Sequence, residues 1–129
     1  MEKTIFEKII DREIPSEIIY EDEKCIVIVD KFPTTKGQTL VISKNVEDNI
    51  FNLSEEIYNH LFKIARKIAI ATQKSMNPNR VCIVVEGFEV PHAHIKLYPV
   101  YENVLKTSGG NEISNEETKE IKNKIQSTL

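Results

Sequence analysis

The chain predicts an α+β domain built on a five-stranded, mostly antiparallel sheet. Three observations carry that expectation. Five short runs rich in β-branched and apolar residues are bounded by charged, Gly-, Pro- or Asn-containing turns. Between the third and fourth lies one long stretch whose apolar residues recur at steps of three and four, the period of a helix with one buried face. Capping-box patterns open a shorter helical segment near each end.

In order, Thr4-Ile5-Phe6-Glu7 offers a capping box, with Thr4 as N-cap and Glu7 at the third helical position. The short helix that follows should bury Ile5 or Phe6 with Ile9 and Ile10 and stop before Pro15. Glu17 to Tyr20 and Cys25 to Asp30 read as two strands around the turn Glu21-Asp22-Glu23-Lys24. A loop broken by Pro33 and Gly37 leads to a third strand from Gln38 to Ser43. Ser54 then caps the long helix, which runs to about Ser75 with Ile57, Leu61, Ile64, Ile68 and Ala71 on its stripe. Val81 to Val85 is a fourth strand, Gly87-Phe88-Glu89 a turn, and His92 to Tyr98 the fifth strand. Beyond Ser108-Gly109-Gly110, Ser114-Asn115-Glu116-Glu117 caps a short helix carrying Ile121 and Ile125. Residues 1–105 are expected to form the main domain and residues 106–129 a C-terminal extension.

With 129 residues, one domain has enough chain for a sizeable core. A net charge of −3 argues against an extended nucleic-acid surface, so any phosphate must be held by local donors. No apolar run approaches the roughly 20 residues a membrane span needs, and Met1-Glu2-Lys3-Thr4 does not begin like a signal peptide. Cys25 and Cys82 sit in separate apolar runs, which suits buried free thiols and a cytoplasmic location.

The chemistry concentrates in Val90-Pro91-His92-Ala93-His94-Ile95-Lys96-Leu97-Tyr98-Pro99. On a strand, His92, His94, Lys96 and Tyr98 share one face and Ala93, Ile95 and Leu97 the other. Same-face neighbours lie roughly 6.6–7 Å apart, so two imidazoles and an ammonium can meet one anionic group. A neutral imidazole is a nucleophile toward phosphorus when its other nitrogen is held. The same row also fits a solvated strand face, or a zinc pair completed by Asp30 or Glu89. Asp30, at a strand end, suits either the vicinal hydroxyls of a ribose or a turn. His60 falls off the apolar stripe of the long helix and reads as a surface residue. The usual Gly-rich phosphate cradles are absent.

Four fragments in order resemble the histidine triad (HIT) family of nucleotide-binding proteins. They are Ile5 to Ser16, like the family's N-terminal helix; Tyr20-Glu21-Asp22-Glu23 with Asp30-Lys31-Phe32-Pro33; Gly37 to Lys44, like "GHTLVIPK"; and Val90 to Pro99, similar to "VPHxHxHxxP". The resemblance, over roughly residues 4–100, implies a HIT-like fold. It makes His94 the nucleophile that is transiently nucleotidylated and His92 a supporting, orienting residue. Asp30 becomes the ribose-binding acid, with Phe6, Ile28 and Leu40 around an apolar base pocket.

Departures stand at named positions. Lys96 replaces the third signature histidine, and Gln38 the histidine of "GHTLVIPK". Thr4 and Glu7 stand where zinc-bearing members have Cys-x-x-Cys, so neither a structural metal nor another cofactor is expected. Val85 stands where many hydrolase members have Asn. A lysine keeps a positive donor but, titrating ordinarily near 10.4, is a poorer acid near neutrality than an imidazolium.

The resulting expectation is a hydrolase or nucleotidyl transferase acting on a purine nucleoside 5′-phosphate derivative, an AMP or GMP derivative, through a nucleotidyl-histidine intermediate. His94, His92 and Lys96 would be catalytic; Asp30, Phe6, Ile28, Leu40 and Gln38 would bind the nucleotide. The alternative is a nucleotide-binding regulatory module with little turnover. The resemblance implies a homodimer, with Tyr58, Phe62 and Ala65 on a second apolar flank of the long helix.

Overall fold

The computed structural model describes residues 2–129; Met1, where the expected main domain begins, lies outside them. Helix α1 (Ile5–Ile10) begins with the expected capping box, Thr4 and Glu7 each closing a free N–H of the other's backbone. It buries Phe6 and Ile9 and leaves Ile5 exposed, so one residue per turn faces the sheet.

Strands β1 (Ile18–Glu21), β2 (Cys25–Val29), β3 (Thr39–Ser43), β4 (Arg80–Val84) and β5 (His94–Val100) form one sheet in the order β1-β2-β3-β5-β4. Every neighbouring pair is antiparallel. Helix α2 (Glu55–Met76) carries the chain from β3 to the far edge strand β4. Ser54 caps it, and Asn77 ends it in the left-handed conformation that Asn tolerates.

The fifth strand starts two residues later than the sequence pattern indicates. Pro91 has no N–H to give a ladder, and the chain turns there, with His92 N–H bonded to the carbonyl of Val90 and Ala93 N–H to that of Glu47. Pairing with β3 begins only at His94, opposite Ile42. His92 therefore stands before the strand rather than in its polar row.

The two faces of the sheet do different work. Val27, Val29, Val41, Ile95 and Leu97 point toward α2, where Leu61, Ile64, Ala65 and Ile68 complete the main core. Ala65, expected on a flank, is fully buried in it. On the other face Ile26, Ile28, Leu40 and Ile42 pack beneath Phe6 and Ile9 of α1. Because both faces are covered, β2, β3 and β5 are buried along their whole length. Polar groups on the α1 face are thereby held in a dry setting.

Helix α3 (Asn115–Ser127) is 13 residues long. Its Ile121 and Ile125 belong to the main core, and Gln126 and Thr128 donate to the carbonyls of Ile19 and Ala71. The segment 106–129 thus shares one core with the rest. No helix among the described residues is long and apolar enough to cross a membrane. Cys25 is buried and Cys82, on edge strand β4, half-buried; both are free thiols.

Candidate active site

Alternation along β5 sends His94, Lys96 and Tyr98 to the α1 face. The same alternation places Asp30 just past β2 and Gln38 just before β3 on that face. A cavity of about 360 Å³ brings these residues together with Phe6, Leu40 and Glu89. Six of the eight residues picked from sequence therefore line it. Ile28 lies on the floor of an adjoining cavity of about 470 Å³, which shares Phe6, Asp30 and Leu40 as a wall.

His94 is 3% exposed, and its ring meets Phe6 edge-on with centroids 4.8 Å apart. Its Nδ1 lies 2.5 Å from the carbonyl oxygen of His92. A carbonyl only accepts, so Nδ1 carries the proton and Nε2 keeps a free lone pair. Burial pushes the His94 imidazole below its ordinary range, and the Lys96 charge adds to this. The ring is neutral at neutral pH, the form that acts as a nucleophile.

His92 does not face the cavity. Its Nε2 bonds to the carbonyl of Ser43 at 2.6 Å and its Nδ1 pairs with Thr4 Oγ1 at 3.0 Å. Both ring nitrogens are engaged, so His92 cannot share a metal with His94, and its hold on the site runs through its own backbone carbonyl. Among the described residues, the His, Cys and carboxylate side chains whose donor atoms converge lie elsewhere, at Asp22, Cys25 and His60. There Asp22 is satisfied by Tyr20 Oη, His60 Nε2 and two backbone N–H groups. His60, expected free on the surface, is thus tied to the β1–β2 turn.

Asp30 Oδ1 accepts the N–H of Phe32 and Oδ2 the amide of Gln38, at 2.9 and 2.6 Å. Gln38 in turn accepts from the N–H of Thr34. These bonds fix the carboxylate while each oxygen keeps a second lone pair for a ligand. Burial pushes the Asp30 carboxyl up, against the opposing pull of Phe32 N–H, Gln38 and Lys96.

Lys96 is 7% exposed, and its Nζ lies 3.5 Å from Glu86 Oε1. Sequence reading missed Glu86. The available signal was alternation: Val84 pairs with Lys96, and Glu86, two residues on, shares the face of Val84 by the period of a strand. Also missed was the strap Thr107-Ser108-Gly109-Gly110, which lines the cavity opposite the sheet. Thr34 Oγ1 donates to the carbonyl of Lys106, and Ile113 N–H to that of Lys31. A Cβ at Gly110 would lie 2.1 Å from the Phe32 carbonyl oxygen, so only glycine lets the strap come this close.

Comparison with known proteins bears on this arrangement. The family model described as HIT domain matches residues 11–103. A 13.1 kDa HIT-like protein of Mesomycoplasma hyorhinis is 33% identical over 106 residues, covering 78% of this chain and 96% of its own. The protein hit of Bacillus subtilis is 34% identical over 105 residues, 78% of this chain and 72% of its own. Among solved structures, a HIT-like protein from Bartonella henselae described as involved in cell-cycle regulation superposes with a TM-score of 0.89 at 29% identity, over 98% of this chain and 96% of that one. A zinc-bound histidine triad family protein from Mycobacterium smegmatis gives a TM-score of 0.81 at 25% identity, over 96% and 91%. Sheet order, the position of His94 and these matches agree: the chain belongs to the HIT domain family.

Proposed function

We propose that the chain is a nucleotide hydrolase or nucleotidyl transferase for a purine nucleoside 5′-phosphate derivative. One observation carries the reading: His94 Nδ1 is spent on the His92 carbonyl, which leaves Nε2 as a lone pair in a cavity shared with Asp30 and Lys96. Nε2 attacks the α-phosphorus, an N–P bond forms, and the bond to the leaving group breaks. The leaving group departs with its electron pair and takes a proton from solvent. Water, or another acceptor, then attacks phosphorus from the opposite side, its proton passes to solvent, and Nε2 recovers its lone pair. Lys96 pairs with phosphoryl oxygens during both steps. Asp30 accepts from the ribose hydroxyls, and the base lies in the adjoining cleft over Ile28 and Leu40, beneath Phe6.

Charge in the cavity bears on the leaving group. Among the described lining residues Lys96 is the one cation, while Asp30 and Glu89 are carboxylates. A polyphosphate leaving group has little to neutralise it there, so an amine is favoured, as in a phosphoramidate. The side chains of Thr4 and Glu7 are consumed by the capping box, so zinc has no thiolate pair at that position.

The test is release of AMP from adenosine 5′-phosphoramidate and from a dinucleoside polyphosphate, beside His94→Ala. Faster turnover of the phosphoramidate is expected. No turnover above the His94→Ala background would leave the second reading, a regulatory nucleotide-binding module. That reading is favoured by Lys96, whose ammonium is paired with Glu86 where the family has imidazole. A homodimer in the cytoplasm completes the proposal. It is supported by the unpaired edge of β4, where Ile83 is 49% exposed, and by the half-buried Tyr58–Phe62 pair on α2. Sedimentation as a monomer at micromolar concentration would remove the dimer.

A further inference from the structure

Glu86 folds back on its own turn. Its Oε1 accepts the N–H groups of Gly87 at 2.8 Å and Phe88 at 3.1 Å, and lies 3.5 Å from the Lys96 ammonium. Gly87 has a φ of +79°, a conformation that glycine enters without strain and that aims successive N–H groups at one point. Two converging backbone N–H groups and a lysine around one oxygen make the donor set that binds a phosphoryl oxygen. Here the oxygen in that set belongs to a carboxylate of the chain itself.

The location is as informative as the donors. Glu86 follows the end of β4, two residues past the Val84–Lys96 pair, and lines a cavity of about 360 Å³ that also includes His94. Its negative charge reaches His94, opposing the fall in that ring's proton affinity. Burial pushes the Glu86 carboxyl up, but Lys96 and the two N–H groups outweigh it and hold the group below its usual range. Glu86 is thus an anion throughout the neutral range, lodged in an anion's seat beside the proposed nucleophile.

We propose that Gly87 N–H, Phe88 N–H and Lys96 Nζ form a phosphoryl-oxygen subsite beside His94, and that the Glu86 carboxylate fills it until a nucleotide's phosphate replaces it. This inference rests on the nucleotide reading of the His94 cavity and adds a gate to it. The exchange is of like for like. In the empty protein Glu86 neutralises the buried ammonium; in the loaded one the phosphate does so, and Glu86 turns to solvent, which its side chain already reaches at 21%. The same Lys96 that departs from the family signature is the cation of this subsite.

Calorimetry with AMP and with inorganic phosphate on the wild type, Glu86→Ala, Glu86→Gln and Lys96→Met tests the subsite. Freeing the seat in Glu86→Ala should tighten AMP binding about ten-fold and bring phosphate binding into range. Glu86→Gln, whose amide oxygen still accepts the two N–H groups but no longer neutralises Lys96, should tighten it by less. The gain should vanish when Lys96→Met is combined with either. If Glu86 serves only to orient Lys96, AMP binding will be unchanged or weaker in both variants, which overturns the inference. Should Glu86→Ala not fold, Glu86→Gln, of the same shape without the charge, decides alone. Binding of AMP by the wild type but not more tightly by the Glu86 variants removes this inference and leaves the nucleotide reading. Binding of AMP by none of the proteins removes both.

Discussion

Thr4 Oγ1 and His92 Nδ1 lie 3.0 Å apart, joining the N-cap of α1 to a residue 88 positions later. Because His92 Nε2 donates to the Ser43 carbonyl, its Nδ1 is the acceptor, and the Thr4 hydroxyl donates to it while accepting the N–H of Glu7. The carbonyl of the same His92 orients His94. One threonine therefore caps the start of a helix and holds the residue whose carbonyl orients His94.

Thr4→Val keeps the shape and loses both bonds. It should cost about 1–2 kcal/mol of stability, the usual worth of an N-cap, and lower turnover as well. Thr4→Ser should restore both. Urea denaturation and AMP release measured on the three proteins check this; a stability loss with unchanged turnover would separate the cap from the site.

The acid limb of activity should lie below the ordinary histidine value. His94 must be neutral to attack, and burial lowers its pKa, so kcat/KM holds as pH falls through about 6.5 and declines only at lower pH. The stability sign follows from the same shift. The unfolded chain takes up a proton near 6.5 and the folded His94 does not, so its contribution is full above that value and is lost as pH falls toward the folded one. A pH–rate profile with its acid limb at or above 6.5 would contradict the buried, neutral ring.

Asp30 should trade stability for binding. Its carboxyl is pushed up by burial, so the folded state prefers it protonated, and stability declines as pH rises from its unfolded value through its folded one. Asp30→Ala should weaken AMP binding by about 2–3 kcal/mol, the worth of charge-assisted bonds to two hydroxyls. The melting temperature should hold or rise. Calorimetry with AMP and 2′,3′-dideoxy-AMP distinguishes ribose recognition: only the first ligand should lose affinity in the variant.

The Asp22–His60 tie should show in acid. Burial pushes the Asp22 carboxyl up, but Tyr20, His60 and the N–H groups of Lys24 and Cys25 prevail and hold it far below the usual range. Its stabilisation is full above the unfolded value of about 3.9 and is lost as pH falls below it. Asp22→Asn should cost about 2–3 kcal/mol at pH 7. Urea midpoints at pH 7 and pH 3 check the sign: the gap between wild type and variant should narrow at the lower pH.

Sequence alone determined the elements and which polar side chains share the face of the candidate cavity. A period of two or of three to four residues decides which side chains share a face, and the capping boxes at Thr4 and Ser114 mark helix starts without knowledge of any neighbour. That is why Asp30, Gln38, Leu40, His94 and Lys96 were all legible: each sits at a strand position whose face the alternation specifies. Tertiary structure decided what those faces meet. Whether His92 belongs to the polar row depended on Pro91 and on the Glu47 carbonyl holding Ala93, and the partner of Lys96 depended on the β4–β5 register that pairs Val84 with Lys96 and carries Glu86 to its ammonium. The strap at Thr107–Gly110 reaches the cavity only because Gly110 lets it touch Phe32, and His60 has a role only because α2 lies across the β1–β2 turn. Local patterns encode direction; the contacts between distant segments, and with them the charge around His94, come from packing.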